Sequence, residues 1–315
     1  MFARFLSSLK MYEENLLNHR AALPEKYIYI SSPPGYSHIT YCLPNQLIAS
    51  PPTLSAAALR THLVVVKIRR RPKITNEHSA LVAIASTTSP GSDLAKHHFL
   101  SCLSVSGLDG ASELSFATIT LPAVLPSVTL GDWCNAAAET ENPVVFVYHV
   151  SISLGTALRF LRRECATEHA DVHDGNVLLR VREGSPFGLP ELVIVDFELQ
   201  KRGDAGVPRD YFNALMLVHL LAQEAEGGDR IWKGFKQAVA LMVLDRKAQA
   251  ERRLEASRFE EFWEEWKGAA IGGRNEASTE AVAVTREIYW KAVEQKGEFV
   301  TDEDLERAVQ GVNSP

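Results

Sequence analysis

The chain has 315 residues, of which 46% are hydrophobic and 23% are charged, and its formal net charge is −6. These values are typical of a globular protein that buries a core, as one large domain or two lobes. The acidic balance argues against a nonspecific nucleic-acid surface, which needs a basic face. The four cysteines have no paired spacing, so the sequence indicates neither a disulfide framework nor a zinc ribbon. A reducing, intracellular setting is therefore expected.

The first segment of the chain is amphipathic and contains no acidic residue before Glu13. Such a pattern is found in mitochondrial presequences, but a packed N-terminal helix explains it equally well. We therefore predict a helical extension over residues 1–26 and a cytoplasmic location, with a mitochondrial one as the minor alternative. No uninterrupted apolar run approaches the roughly 18 residues that span a bilayer, so no membrane partner is expected.

Residues 27 to 124 are rich in predicted strands. The alternation of apolar residues predicts strands over 27–31, 38–43 and 63–68, with a Pro/Ser/Ala-rich surface insertion over 44–60. A helix over about 76–86 is expected to begin at Thr75 as its N-cap. A second hairpin, with strands 99–105 and 113–120, follows, and 121–124 connects to the next region.

From about Ser127 the pattern becomes helical. Helices are predicted over 132–139 and 143–165, and again from residue 211 onward. Between them lies the segment from His169 to Asn176, followed by a hairpin with strands 177–181 and 192–197. Near the C-terminus, four aromatic residues recur at helical spacing between glutamates and predict a core-facing stripe: Phe259, Phe262, Trp263 and Trp266.

Three oxygen-bearing side chains stand at the ends of this predicted hairpin and on the segment before it: Asp171, Asn176 and Asp196. Carboxylate and amide oxygens suit Mg²⁺, which normally keeps waters and substrate phosphates as its other ligands. Asn176 and Asp196 could therefore hold a metal-bound phosphate, and Asp171 would be free to accept a hydroxyl proton. Ordinary turn chemistry also explains Asp171 and Asn176, but it does not explain Asp196 at the end of a buried strand.

The segment resembles the catalytic loop of the protein kinase superfamily, H-R-D-x-x-x-x-N followed by D-F-G. His169, Asp171, Asn176, Asp196 and Phe197 match it in order and spacing. Ala170 stands in place of the Arg, His173 in place of the usual Lys, and Glu198 in place of the Gly. The last two departures look more like the aminoglycoside and choline phosphotransferases and divergent fungal kinase-like proteins than like signalling kinases. The predicted helix that opens with Asp210 is similar to the central large-lobe helix of that superfamily.

The resemblance implies further roles. Lys67 looks like the small-lobe lysine that contacts the α and β phosphates, and Glu77 is the best candidate for its carboxylate partner. Lys67 could instead snorkel from an edge strand, and Glu77 could simply complement a helix dipole. In the same comparison His169 braces the loop, and His173 lies near the γ-phosphate.

Two segments depart from the kinase pattern. The turn that should cover the nucleotide has only Gly35 and carries Pro33 and Pro34, which lack N–H donors. The segment 199–209 contains no Ser, Thr or Tyr, so phosphorylation there cannot activate the protein, and it lacks the A-P-E ending that anchors a peptide platform. The missing hydroxyl side chains and the missing A-P-E ending of this segment both favour a small-molecule acceptor or an atypical protein substrate.

Two other chemistries find little support. His169 and His173 have the spacing of zinc ligands on a helix, but Ala170 replaces the metalloprotease Glu and Gly175 disfavours a helix. The chain also has no G-x-S-x-G elbow for a Ser/His/Asp hydrolase.

We therefore expect an α+β, two-lobed protein kinase-like fold, with a β-rich small lobe over 27–124 and a mainly helical large lobe over 125–315. The implied function is ATP- and Mg²⁺-dependent transfer of a phosphoryl group to a hydroxyl. In this function Asp171, Asn176 and His173 are catalytic, Lys67, Glu77 and Asp196 bind the cofactor, and Asn176 and Asp196 hold the metal. The alternative is a pseudokinase that acts as a binding scaffold.

Overall fold

The computed structural model describes residues 23–33, 38–49, 54–109, 115–138, 140, 142–181, 186–202, 209–251 and 254–312. The protein is a mixed α+β structure with an antiparallel, sheet-rich N-terminal region and a helical C-terminal part. The α+β class predicted from the sequence is therefore confirmed. The helical extension predicted over 1–26 lies almost entirely outside the described residues, as do the turn at Gly35 and most of the segment 199–209.

The chain forms two compact units. Unit 1 comprises the described residues of 1–78, 101–123 and 298–315, and unit 2 comprises 79–100 and 124–297. From the sequence alone, residues 79–100 are expected in the small lobe and residues 298–315 in the large lobe. In the structure the first of these segments packs in unit 2, and the second packs in unit 1.

Unit 1 is built on a five-stranded antiparallel sheet with the strand order β1-β2-β3-β5-β4. Its strands are β1 (Tyr27–Ser31), β2 (Ile39–Pro44), β3 (Val64–Arg70), β4 (Ser104–Ser106) and β5 (Phe116–Pro122). β3 is central and β-branched, and Val64, Val66 and Ile68 form a buried cluster with Cys42. The predicted positions of β1, β2 and β3 agree with the structure to within two residues.

Two predictions for this region are corrected. The linker over 44–60 contains the short helices α1 (Gln46–Ala49) and α2 (Ala56–Arg60). The next helix, α3 (Arg71–Ser86), begins directly after β3 and not at residue 76. Pro72 explains the early start, because proline is favoured in the first turn of a helix, where its missing N–H costs nothing. Thr75 is therefore inside the helix and is not its N-cap.

The predicted second hairpin is shorter than expected. α4 (Ser92–Lys96) precedes it, and only Ser104–Ser106 pairs with β5. Phe99, which was assigned to that strand, forms a parallel bridge with Ile194 in unit 2. The apolar side chain of Phe99 packs against Phe197 and Phe160, with ring centroids 5.9 and 6.1 Å away. Burial of its ring in unit 2 thus outweighs the period-two pattern that suggested a strand.

Unit 2 consists mainly of helices, with two small sheets. One sheet has the order β6-β8-β9 and the other pairs β10 with β7. These strands are β6 (Val128–Thr129), β7 (Thr167–Glu168), β8 (Val177–Arg180), β9 (Glu191–Ile194) and β10 (Lys201–Arg202). Its helices are α5 (Leu130–Ala137), α6 (Val144–Arg163), α7 (Arg209–Gln223), α8 (Arg230–Val243), α9 (Arg246–Glu251), α10 (Ala256–Asn275) and α11 (Thr279–Lys296).

Helix α6 runs through the core of unit 2. Among the described residues it alone is long and apolar enough to cross a bilayer, although 78% of its most apolar stretch is buried inside the fold. Interruptions such as His149 and Ser151 hid this stretch from a search for uninterrupted apolar runs. Gly155 of α6 allows the aromatic stripe of α10 to pack closely against this helix, because a Cβ at this position would overlap the ring of Trp263. The predicted core-facing stripe is confirmed for Phe259, Phe262 and Trp263, which are buried, whereas Trp266 is half-buried.

The last helix, α12 (Asp302–Val312), packs against β1 and α2 of unit 1. Arg60 fixes the segment before it, donating to the Val300 carbonyl at 2.8 Å and pairing with Asp302 and Glu298 at 2.8 and 2.9 Å. The C-terminal segment thus completes the sheet-containing unit.

Candidate functional site

The segment from His169 to Asn176, called here the 169–176 loop, is held in place by a carboxylate beneath it. Asp210, near the start of α7 and 4% exposed, accepts hydrogen bonds from the backbone N–H groups of His169 and Ala170 at 2.8 and 3.0 Å. Ala170 has a φ of +66°, a left-handed conformation that costs energy for a residue with a Cβ. The two charge-assisted bonds to Asp210 offset that strain and fix the direction in which the loop leaves β7.

His169 connects this loop to the hairpin that follows. Its buried ring donates from Nε2 to the Val195 carbonyl at 2.8 Å and accepts at Nδ1 from the Asp171 N–H at 3.2 Å. These two bonds require the neutral ring. Burial lowers the pKa of His169 below its ordinary value and keeps the ring in that state. The bracing role implied by the kinase resemblance therefore has a matching geometry.

Asp171 and His173 lie side by side on the exposed part of the loop. His173 Nδ1 accepts from the Gly175 N–H at 3.1 Å, which leaves the proton of a neutral ring on Nε2. That nitrogen lies 3.9 Å from Asp171 Oδ2, and the Asp171 side chain is 35% exposed. A carboxylate at this position can accept a proton from a hydroxyl group that approaches from solvent.

Asn176 is oriented by the loop itself. It is 7% exposed, and its Nδ2 donates to the Asp171 carbonyl at 3.0 Å, so its Oδ1 is the atom that a metal could use. Its own carbonyl accepts from the Val195 N–H at 3.0 Å, where the β8–β9 hairpin ends. Asp196 is the next residue after Val195, two residues beyond the end of β9. The hairpin thus brings the backbones of these two predicted ligands to the same end, as the sequence indicated.

Asp196 has a left-handed backbone, with φ +73° and ψ 65°. Asp and Asn tolerate this region better than other residues with a side chain, but the conformation is still uncommon. The next residue, Phe197, is buried, and its ring centroid lies 4.5 Å from that of His169. This packing holds the turn in place. Glu198, which stands where kinases have Gly, is also buried.

The described residues contain no group of three or more His, Cys, Asp or Glu side chains that could hold a metal ion. The zinc interpretation of His169 and His173 is wrong for His169, because both of its ring nitrogens are engaged in hydrogen bonds. Amide and carboxylate oxygens, the donor types of Asn176 and Asp196, are ligands that Mg²⁺ accepts together with phosphate and water.

In unit 1, the structure pairs Lys67 with Glu77. The Lys67 ammonium donates to both carboxylate oxygens at 2.8 and 3.1 Å, and the two residues are only 5% and 1% exposed. The early start of α3 places Glu77 in the second turn, which weakens the interpretation of Glu77 as a dipole complement. The burial of Lys67 also excludes the snorkelling alternative. Lys67 and Glu77 are ten residues apart in sequence, a shorter separation than is usual in kinases. They can still pair because α3 follows β3 without a linker.

Sequence reasoning identified Asp210 only as the start of a helix and missed its contact with the loop. It also missed the left-handed conformations of Ala170 and Asp196. The position of Asp210 just inside a helix was the available signal for its contact with the loop. Nothing in the local sequence marks the left-handed conformations of Ala170 and Asp196.

The sequence matches no protein-family model, and no curated protein is significantly similar to it.

Proposed function

We propose that this protein has a two-lobed, protein kinase-like fold and transfers the γ-phosphoryl group of ATP to a hydroxyl group with the help of Mg²⁺. The observation that carries the proposal is the 169–176 loop, in which a backbone braced by Asp210 presents Asp171 and orients Asn176 beside Asp196. The buried Lys67–Glu77 pair supports it independently, because it is the lysine–carboxylate pair that the kinase resemblance predicts beside the phosphates.

Each residue has a role that its environment permits. Asn176 Oδ1 and the Asp196 carboxylate would hold Mg²⁺, which supplies charge neutralisation on the transferred phosphate. Asp171 would orient the acceptor hydroxyl and take its proton, and His173 next to it would donate to a phosphate oxygen from Nε2. Lys67, held extended by Glu77, would present its ammonium to the α and β phosphates. Catalysis then depends on positioning and charge complementarity.

One sequence observation favours a second candidate, a pseudokinase that binds a partner without phosphoryl transfer. The predicted nucleotide-covering turn has a single glycine and two prolines, so it offers fewer backbone N–H groups to phosphates. The two candidates differ in whether the metal-nucleotide site is used and whether Asp171 is needed.

The first test is thermal unfolding with ATP and Mg²⁺, ATP alone and Mg²⁺ alone. A ligand at 100 times its Kd stabilises a protein by about 2.7 kcal/mol, which is readily measured. Asp196→Asn removes the carboxylate and retains tolerance for the left-handed backbone, so it should abolish the Mg²⁺-dependent part of the stabilisation. Asp93→Asn on the exposed face of α4 is the matched control and should leave it unchanged. Equal stabilisation of all three proteins would contradict the proposed site.

The second test separates the two candidates. An ATP-consumption screen over peptides and small hydroxyl compounds should show turnover that falls by roughly 10² to 10⁴ in Asp171→Asn, while ATP and Mg²⁺ still stabilise this variant. Stabilisation of the wild type by ATP and Mg²⁺, with no turnover on any acceptor class, would favour the scaffold.

A further inference from the structure

A concave site in unit 2 adjoins the 169–176 loop. It is a cavity of about 370 Å³ between α5, Asp174 of that loop and the C-terminal end of α7. Volumes of this size are typical of sites for small organic molecules. Its walls are mostly apolar and include Leu130, Cys134, Leu217 and Leu220. Two acidic residues, Asp174 and Glu224, also line it. Leu220 is 49% exposed, so an apolar surface is left open to solvent.

The walls are held by buried hydrogen bonds and do not depend on a ligand to form. Asn142, 4% exposed, accepts from Trp133 Nε1 at 3.1 Å and donates from Nδ2 to the Leu221 carbonyl at 3.3 Å. Its backbone N–H donates to the Glu224 carbonyl at 3.0 Å. These bonds tie the chain after α5 to the end of α7, and a preformed pocket loses less free energy on binding.

The charge of the cavity is one-sided. No lysine, arginine or histidine is among its described lining residues, whereas Asp174 and Glu224 both are. The nearby ammonium of Lys236, which is not a lining residue, donates to the carbonyls of Gln223 and Ala225 at 3.5 and 3.1 Å.

The 169–176 loop places no lysine or arginine beside Asp174. His173 Nδ1 lies 3.7 Å from Asp174 Oδ1, and that nitrogen accepts from the Gly175 N–H at 3.1 Å. Gly131 at the start of α5 keeps space for this carboxylate, because a Cβ there would come within 2.5 Å of Asp174 Oδ2. The fold thus keeps an acidic group next to an open apolar surface.

We propose that this cavity binds a small organic cation, in which an apolar body lies against Leu217 and Leu220 and an ammonium group lies between Asp174 and Glu224. Apolar contact supplies the affinity, and the two carboxylates select a positive charge over a neutral or negative one. The inference does not rest on phosphoryl transfer, since the binding can be measured without nucleotide.

The test uses three matched probes: 4-phenylbutylamine, 4-phenylbutanol and 4-phenylbutyrate. Ligand-observed NMR titration of the full chain at pH 7.5 should show the amine binding more tightly than the alcohol, and the carboxylate most weakly. Because each carboxylate is exposed, Asp174→Asn and Glu224→Gln should each weaken amine binding by about threefold, and together by about tenfold. Binding of the alcohol should not change.

Two further variants locate the site. Ala138→Phe fills the cavity from the exposed end of α5 and should abolish binding of all three probes, while Glu261→Gln, on the exposed face of α10, should leave every affinity as in the wild type. Unfolding temperatures without ligand, close to that of the wild type, verify that the variants fold. Equal affinities for the amine and the carboxylate, or amine binding that survives Ala138→Phe, would overturn the proposal. Absence of amine binding would leave the ATP and Mg²⁺ test of the proposed function unaffected. Absence of stabilisation by ATP and Mg²⁺ would likewise leave the amine-binding test unaffected.

Discussion

The buried Lys67–Glu77 pair gives the sharpest prediction about this protein. Lys67→Met keeps most of the side-chain volume but leaves the Glu77 carboxylate, 1% exposed, without its ammonium partner. Removing one member of a buried ion pair typically costs about 3–5 kcal/mol, because the remaining charge stays desolvated without its ion-pair partner. Glu77→Met should cost a similar amount, since it leaves the Lys67 ammonium in the same position.

The double substitution Lys67→Met with Glu77→Met should behave differently. Replacing both charges with apolar groups of similar volume removes the desolvation cost as well as the attraction, and such replacements are often neutral or stabilising. We therefore expect the double variant to lie within about 1 kcal/mol of the wild type or above it. Urea denaturation followed by circular dichroism measures the free energies, and hydrogen exchange over β3 and residues 71–78 of α3 localises the change to unit 1.

The same variants separate folding from function. The double variant should be as stable as the wild type yet gain no stability from ATP and Mg²⁺, because the ammonium that would contact the phosphates is absent. A cost below about 1 kcal/mol for Lys67→Met, or a double variant as unstable as either single one, would refute the reasoning about the buried pair. Full nucleotide stabilisation of a well-folded double variant would refute the phosphate role of Lys67.

Three further outcomes follow from the packing of unit 2. Burial lowers the pKa of His149 from its ordinary 6.5 to about 4. The unfolded chain therefore takes up a proton first as the pH falls, and between pH 6.5 and 4 the unfolding free energy should drop by about 3 kcal/mol for this residue alone. His149→Gln should flatten that slope in denaturation curves, and an unchanged slope would contradict this assignment. Asp210→Asn weakens two charge-assisted hydrogen bonds to the 169–176 loop and should lower the unfolding free energy by about 2–3 kcal/mol. It should also speed hydrogen exchange of the His169 and Ala170 amides, and unchanged exchange would contradict the bracing role of Asp210. Gly155→Ala should destabilise the protein by about 1–3 kcal/mol through overlap with Trp263, whereas Gly268→Ala, with open space around it, should stabilise it by about 0.5–1 kcal/mol in the same thermal assay. Equal effects of the two alanines would disprove the packing argument.

Much of the fold was predictable because its signals are local. The alternation of apolar residues around Val66 determines a strand wherever that face is buried, and the spacing of Phe259, Phe262 and Trp263 determines a helix with one apolar side. The order of Asp171, Asn176 and Asp196 around a hairpin was also readable, because a hairpin necessarily brings the ends of its two strands together. These features depend on neighbours in sequence, so composition and spacing were sufficient.

The sequence by itself therefore determined the strands, the aromatic helix and the chemical types available to the site. Only the tertiary structure decided that Lys67 meets Glu77 in a buried pair, because the burial of an ion pair depends on what covers it. Only the packing of α7 beneath the 169–176 loop brought Asp210 to the strained backbone of Ala170. The cavity beside that loop likewise arises from α5 and α7, which are far apart in the chain. Such features depend on contacts between distant residues, and local propensity carries no information about them.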